Sequence, residues 1–187
     1  MKPINNFENI QASTGEFSRL KPNGYICKIT DVEDIPLNAQ GKGDYLNIEY
    51  DIADGEFKGY FKEQFEKWNK WNGTFIRSYK EKALGMFKHF INCVEESNGG
   101  FSWNWNERAL IGKVIGLVIG EEEYVKKNGE IGTRMYVKDI KTVEQIKNGD
   151  FKISDLKKID GSNASTEISS FVPNLTPISD DDELPFG

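Results

Sequence analysis

Apolar and polar side chains alternate over several short stretches of the chain, and the alternation predicts strands. Tyr25, Cys27 and Ile29 alternate with Lys28 and Thr30 after Gly24, the period of a half-buried strand. Pro36 and the cluster Gly41-Lys42-Gly43-Asp44 predict a loop. A second strand is expected over 45–53, with Leu46, Ile48, Tyr50 and Ile52 on one face and Tyr45, Asn47, Glu49 and Asp51 on the other. Asp54-Gly55 is a hairpin signal, and a third strand is expected over 57–65. The period then changes. Ser78-Tyr79-Lys80-Glu81 has the form of a capping box, and it opens a helix whose face carries Ala83, Leu84, Phe87, Phe90, Ile91 and Val94. Asn98-Gly99-Gly100 ends that helix. A fourth strand is expected over 110–120, where Gly112, Gly116 and Gly120 suggest a strand that bends within a small barrel. Lys127-Asn128-Gly129-Glu130 predicts a hairpin turn into a fifth strand over 133–143. There Met135 and Val137 face inward, and Arg134, Tyr136 and Lys138 face outward together.

Three strands, a helix and two further strands form the order of an OB-fold, a mainly β, five-stranded, partly open barrel with one helix between strands three and four. The chain accordingly divides into a lead-in over 1–22, an OB-fold domain over 23–154, a flexible linker over 155–179 and an acidic tip over 180–187. Beyond Phe151 no period survives, and Ser, Thr, Asn, Asp and Pro dominate, the composition of a disordered segment.

Charge sharpens this division. Residues 1–154 hold 22 basic and 23 acidic side chains, a net −1, whereas 155–187 hold 2 against 7, a net −5. Within the body, 58–88 carry 8 basic side chains against 3 acids and stand at +5. A basic stripe in a chain with an acidic tail points to a polyanionic partner.

The same stripe is rich in aromatics. Tyr60, Phe61, Phe65, Trp68, Trp71, Phe75 and Tyr79 interleave with Lys58, Lys62, Lys67, Lys70 and Arg77. Aromatic faces that stack on bases, beside cations that follow the phosphates, are what binds a single strand without sequence preference. About half of these rings are expected in the core, because aromatics dominate small cores. Trp68 and Trp71, flanked by Asn and Lys, are the ones expected outside. Trp103 and Trp105 fit either role. An OB-fold binds over strands two and three and with the loops that follow strands one and four. The expected interface therefore adds Lys126, Lys127, Arg134, Tyr136 and Lys138 from the second hairpin.

The last eight residues place Asp180, Asp181, Asp182 and Glu183 before Leu184-Pro185-Phe186-Gly187. Adjacent carboxylates are not buried unpaired, and two apolar side chains around a proline suit a peptide that docks in an apolar pocket with a basic rim. This ending resembles that of bacterial single-stranded DNA-binding protein, whose acidic stretch closes on a Pro-Phe pair that recruits replication and repair proteins. The body, with Pro22-Asn23-Gly24-Tyr25 and Gly55-Glu56-Phe57-Lys58-Gly59-Tyr60, resembles a family of phage-encoded single-strand-binding proteins. The resemblance implies a partner-binding tip of Asp181, Asp182, Glu183, Leu184, Pro185 and Phe186. Gly187 departs from it by moving the terminal carboxylate outward.

Other classes find less in the residues. His89 and Cys93 stand one helical turn apart and could join Cys27 around a metal, but a closed zinc site wants a fourth ligand. No phosphate-loop motif and no catalytic carboxylate motif is present. The expectation is a binding protein, not an enzyme, with no metal and no cofactor. Its partners would be single-stranded DNA and, through the tail, replication or recombination proteins, with homo-oligomerisation left open. The chain has no apolar run long enough to span a membrane and no signal-like start, which places it in the cytoplasm, that of a bacterial host if phage-encoded. The alternative is a protein-interaction barrel that does not touch nucleic acid.

Overall fold

A computed structural model describes residues 19–159. The expected lead-in up to residue 18, most of the linker and the tip with Asp181, Asp182, Glu183, Leu184, Pro185 and Phe186 lie outside the described residues.

The described chain is mainly β. Strands β1 (Asn23–Ile35), β2 (Tyr45–Ile52), β3 (Thr74–Ser78), β4 (Val114–Val125) and β5 (Ile131–Lys141) form one antiparallel sheet in the order β3-β2-β1-β4-β5. No ladder joins β3 to β5 among the described residues, so the sheet is open there. Helix α1 (Tyr60–Trp68) lies between β2 and β3, α2 (Leu84–Ser97) between β3 and β4, and α3 (Val143–Asn148) follows β5.

β2 shows why the alternation forms a strand. Leu46, Ile48, Tyr50 and Ile52 are buried and their neighbours are only partly covered, so one face seals the core. The expected third strand over 57–65 is not one. Tyr60 and Phe61 are adjacent and both buried while Lys62, Glu63, Phe65 and Glu66 after them are exposed, which is not the alternation of a half-buried strand. The segment is a helix, and it starts here for a tertiary reason. The Asp51 carboxylate on β2 accepts the amides of Phe61 at 3.0 Å and Lys62 at 3.3 Å, filling two of the donors that a helix start leaves open. Gly59 supplies the left-handed turn before it, at φ 79°. The third strand is instead Thr74–Ser78, paired with β2 so that Phe75 faces Ile48.

The Ser78 capping box is also corrected. The Ser78 hydroxyl donates to Asp44 O and accepts from Lys80 N, so it joins β3 to the preceding loop. The helical segment opens with a tight turn at Glu81–Ala83 and continues as α2, whose face buries Phe87, Phe90, Ile91 and Val94 while Leu84 stays exposed. β5 stops at Lys141 because Thr142 and Gln145 form a reciprocal capping box and turn the chain into α3. The glycines of 110–120 have separate roles. Gly112, at φ 83°, turns the chain before β4. A β-carbon on Gly116 would lie 2.7 Å from Thr142 O, under α3.

Residues after α3 cross the outer side of the sheet. The Phe151 ring takes the space a side chain on Gly24 would need. Lys157 pairs with β4, its amide donating to Glu121 O at 3.0 Å and its carbonyl accepting from Glu123 N at 2.9 Å. Residues 155–159, the start of the expected linker, thus carry ordered contacts.

The core is organised around a row of rings. Tyr25, Phe57, Tyr60, Phe61, Tyr50, Phe75, Phe90, Phe87 and Trp103 touch in succession, with centroids 5.2–6.4 Å apart and mostly edge to face. Each such contact adds about 0.5–1.5 kcal/mol beyond the burial itself. Phe90, fully buried in mid-row, is where truncation to Ala is costliest, about 3–5 kcal/mol.

Candidate nucleic-acid interface

The face expected to bind, the outer side of β2 and β3, carries no cation. Its side chains are Tyr45, Asn47, Glu49 and Asp51 from β2 and Thr74, Ile76 and Ser78 from β3. Glu49 stands opposite Asp31 of β1, with Glu33 two residues further along the same edge. Partial burial raises the Glu49 carboxyl above its ordinary value, and the Asp31 and Glu33 carboxylates add to the rise. Three carboxylates make this face repel phosphates.

Arg77 was expected among the phosphate contacts and is corrected. It lies opposite Leu46 on the inner face, with its guanidinium 5.0 Å from the Phe75 ring centroid. Nη1 donates to Ile76 O at 2.8 Å, and Nε has no hydrogen-bond partner. Burial lowers its pKa to about 10, partly countered by the Asp139 carboxylate. Tyr60, Phe61 and Phe75 are likewise corrected: all are buried in the row of rings and offer no face to a base. The Tyr79 hydroxyl donates to Asp34 Oδ1 at 2.8 Å while its ring packs on Phe87.

The remaining expected residues gather on α1 and the turn behind it. Phe65 and Trp68, one helical turn apart, are 44% and 54% exposed. Trp71 is half-buried with its ring 6.2 Å from Phe65, and its Nε1 donates to Gly73 O at 3.1 Å, which fixes the indole. A hydrogen bond from Asn72 Nδ2 to Gln64 Oε1 ties the turn back to the helix. Lys58, Lys62 and Lys67 of the same segment are exposed, and Lys70 is partly so. Lys62 approaches Glu66 at 3.9 Å, a solvated pair that holds the lysine only weakly. The helix buries its first turn through Tyr60 and Phe61 and turns aromatic and basic side chains outward beyond it.

The β4–β5 hairpin has the expected turn at Asn128-Gly129, where Asn128 Oδ1 accepts from Glu130 N. Met135 and Val137 pack against the core. The cations on its other side are engaged by the fold. Arg134 holds Glu122 at 2.8 Å and lies over the Tyr124 ring. Lys126 pairs with Glu130 at 3.6 Å. Lys138 donates to Lys152 O at 3.2 Å and to the Ser154 hydroxyl, pinning the segment that follows α3. Tyr136 lies over Gly120, where a β-carbon would come within 3.1 Å of its ring. Lys127 is exposed at the turn. Tyr124, which the sequence reasoning missed, belongs to this strip; its place beside Gly132 across the hairpin was the available signal.

His89 Nε2 lies 2.9 Å from Ile140 O, and Cys93 Sγ lies 3.6 Å from the same nitrogen. Burial pushes the Cys93 thiol up to about 11, with Glu96 adding to the rise, so it is not a thiolate near neutral pH. Among the described residues no group of three or more His, Cys, Asp or Glu side chains is disposed to hold a metal ion. No described helix is long and apolar enough to cross a membrane. No family model matches the chain, and a search of curated proteins finds no match.

Proposed function

We propose that this chain is an OB-fold protein that binds single-stranded DNA without sequence preference and recruits replication or recombination partners through its acidic C-terminal segment. The fold part rests on the strand order β3-β2-β1-β4-β5 with α2 between β3 and β4, the arrangement of a partly open OB barrel. The observation that carries the binding part is the cluster of Phe65, Trp68 and Trp71 among Lys58, Lys62, Lys67 and Lys70. Exposed rings stack on bases whatever their identity, and lysines around them meet the phosphates on either side. The strand would pass over α1 rather than across β2 and β3, because Asp31, Glu33 and Glu49 repel it there. The recruiting role rests on the sequence from Asp180 to Phe186 and its likeness to a known tail.

Titration of the full chain with oligo(dT), followed by tryptophan emission, tests the binding part. The reading expects quenching, affinity that falls linearly on a log–log plot against salt, and weaker binding to duplex of the same length. Duplex bound as tightly as single strands would overturn it. The acidic face of β1 and β2 favours a second reading, a barrel that binds a basic protein surface and no nucleic acid. Absence of any oligo(dT) binding at low salt would select it.

A further inference from the structure

The other two tryptophans lie in the loop between α2 and β4, outside the surface described above. Trp103 is half-buried, with its ring 6.4 Å from Phe87 and its amide donating to Glu95 Oε1 at 2.7 Å. Trp105 is 83% exposed, the highest value among the large apolar side chains described. Its backbone has φ 65°, a left-handed conformation that side chains with a β-carbon seldom take. The loop enforces that conformation from both sides. Asn104 Oδ1 accepts from Asn106 N, and Asn106 Oδ1 accepts from Arg108 N to open the turn Glu107–Leu110, which ends in the fully buried Leu110. The Trp105 ring stands 6.2 Å from Trp103, at the end of the row of core rings. A strained backbone, hydrogen bonds on both flanks and a ring backed by Trp103 hold the Trp105 side chain in water in one defined orientation.

We infer that Trp105 is a second base-stacking station, taking a base of the same single strand that α1 binds; this rests on the functional reading above. The surroundings favour a base over a protein partner. Ser102, Asn104, Asn106 and Arg108, which flank it in sequence, are all exposed, so the ring is a single exposed flat surface, backed by Trp103, in a loop of hydrogen-bonding groups and one cation. A docking protein would need a contiguous apolar patch, whereas one base needs one ring. The two stations are apart in the fold: from Phe61 of α1 the row runs through Tyr50, Phe75, Phe90, Phe87 and Trp103 before reaching Trp105. A strand engaging both occludes more nucleotides than one engaging α1 alone.

The test compares the full wild-type chain, Trp105→Ala, Trp105→Phe and Trp68→Ala, by anisotropy of labelled oligo(dT) of increasing length. Trp105→Ala should lose about 5-fold to about 150-fold in affinity for long oligonucleotides, shorten the occluded site and leave Tm unchanged, and Trp105→Phe should restore most of the loss. In a chain with Trp68→Phe and Trp71→Phe, emission comes from Trp103 and Trp105 alone, and oligo(dT) should still quench it. Wild-type affinity and site size in Trp105→Ala, beside a weakened Trp68→Ala, would overturn the inference while leaving the functional reading intact. A wild-type chain that binds no oligo(dT) would overturn the functional reading, and this inference with it.

Discussion

The segment around α1 and the β4–β5 hairpin look alike in sequence, each interleaving aromatic with basic residues, yet the fold treats them oppositely. On α1 Phe65 and Trp68 are 44% and 54% exposed, and Lys62 and Lys67 of the same helix are exposed as well. On the hairpin, Arg134 is held by Glu122, Lys126 by Glu130 and Lys138 by the segment after α3, while Tyr136 covers Gly120. The difference comes from what stands opposite. The hairpin sets Glu122 opposite Arg134 as a cross-strand pair, its turn brings Glu130 back to Lys126, and the segment after α3 reaches Lys138. Helix α1 packs its first turn through Tyr60 and Phe61 and leaves Lys62, Phe65, Lys67 and Trp68 exposed beyond it. Interleaved composition therefore does not by itself fix which of its side chains stay open.

The strongest way to break this comparison is to remove the cations of each region in turn. Changing Lys58, Lys62, Lys67 and Lys70 together to Ala should flatten the log–log salt slope of oligo(dT) binding by up to about 3, at little cost in stability. The matching set on the hairpin, Arg134, Lys126 and Lys138 to Ala, should leave the slope nearly unchanged and lower Tm. Equal slopes for the two sets would dissolve the distinction.

A smaller effect is expected from single rings. Trp68→Ala should weaken binding by about 1–3 kcal/mol with unchanged denaturant midpoint. Tyr136→Ala should do the reverse, lowering the midpoint through lost packing over Gly120 and sparing affinity. Anisotropy and urea unfolding on the same samples separate the two.

Next in size is the support of α1. Asp51→Ala removes the acceptor for the amides of Phe61 and Lys62 and should cost about 1 kcal/mol of stability in urea unfolding. Binding should weaken as well, because the helix that presents Trp68 frays. A variant that loses stability but binds as wild type would show that α1 does not present the rings.

The smallest effect concerns the acidic face. The folded state raises the Glu49 carboxyl, so it binds that proton more tightly than the unfolded chain. The ionised group therefore opposes folding at neutral pH. Its penalty is relieved as the pH falls through the raised folded value and is gone below the unfolded one. Glu49→Gln should be slightly more stable than wild type at pH 7, and the gap should close in that acidic window. On the proposal that the strand passes over α1, affinity for oligo(dT) should change little; a large gain would place it on β2 instead.

Much of the architecture was legible in the sequence because periodicity acts locally. β2, the helix ending at Asn98, the turn at Asn128-Gly129 and the inward Met135 and Val137 all stand where their patterns put them. The exposure of Trp68 and of Lys58, Lys62 and Lys67 was legible too, since polar flanks around a large ring signal water, whereas Trp71, expected outside, is half-buried against the core. What the sequence could not supply were choices made by distant groups. Asp51 turned 60–68 into a helix, Asp44 drew Ser78 away from capping, and the pairing of β2 with β3 aimed Arg77 inward. The exposure of Trp105 was another such choice, since alternation with asparagines served core and surface equally until Trp103 packed on Phe87. By itself the sequence determined which stretches alternate, where the chain turns and how its charge divides between body and tail. Only the tertiary structure decided which aromatic and basic side chains remain open to a ligand, because a side chain's accessibility depends on partners brought up from elsewhere in the chain.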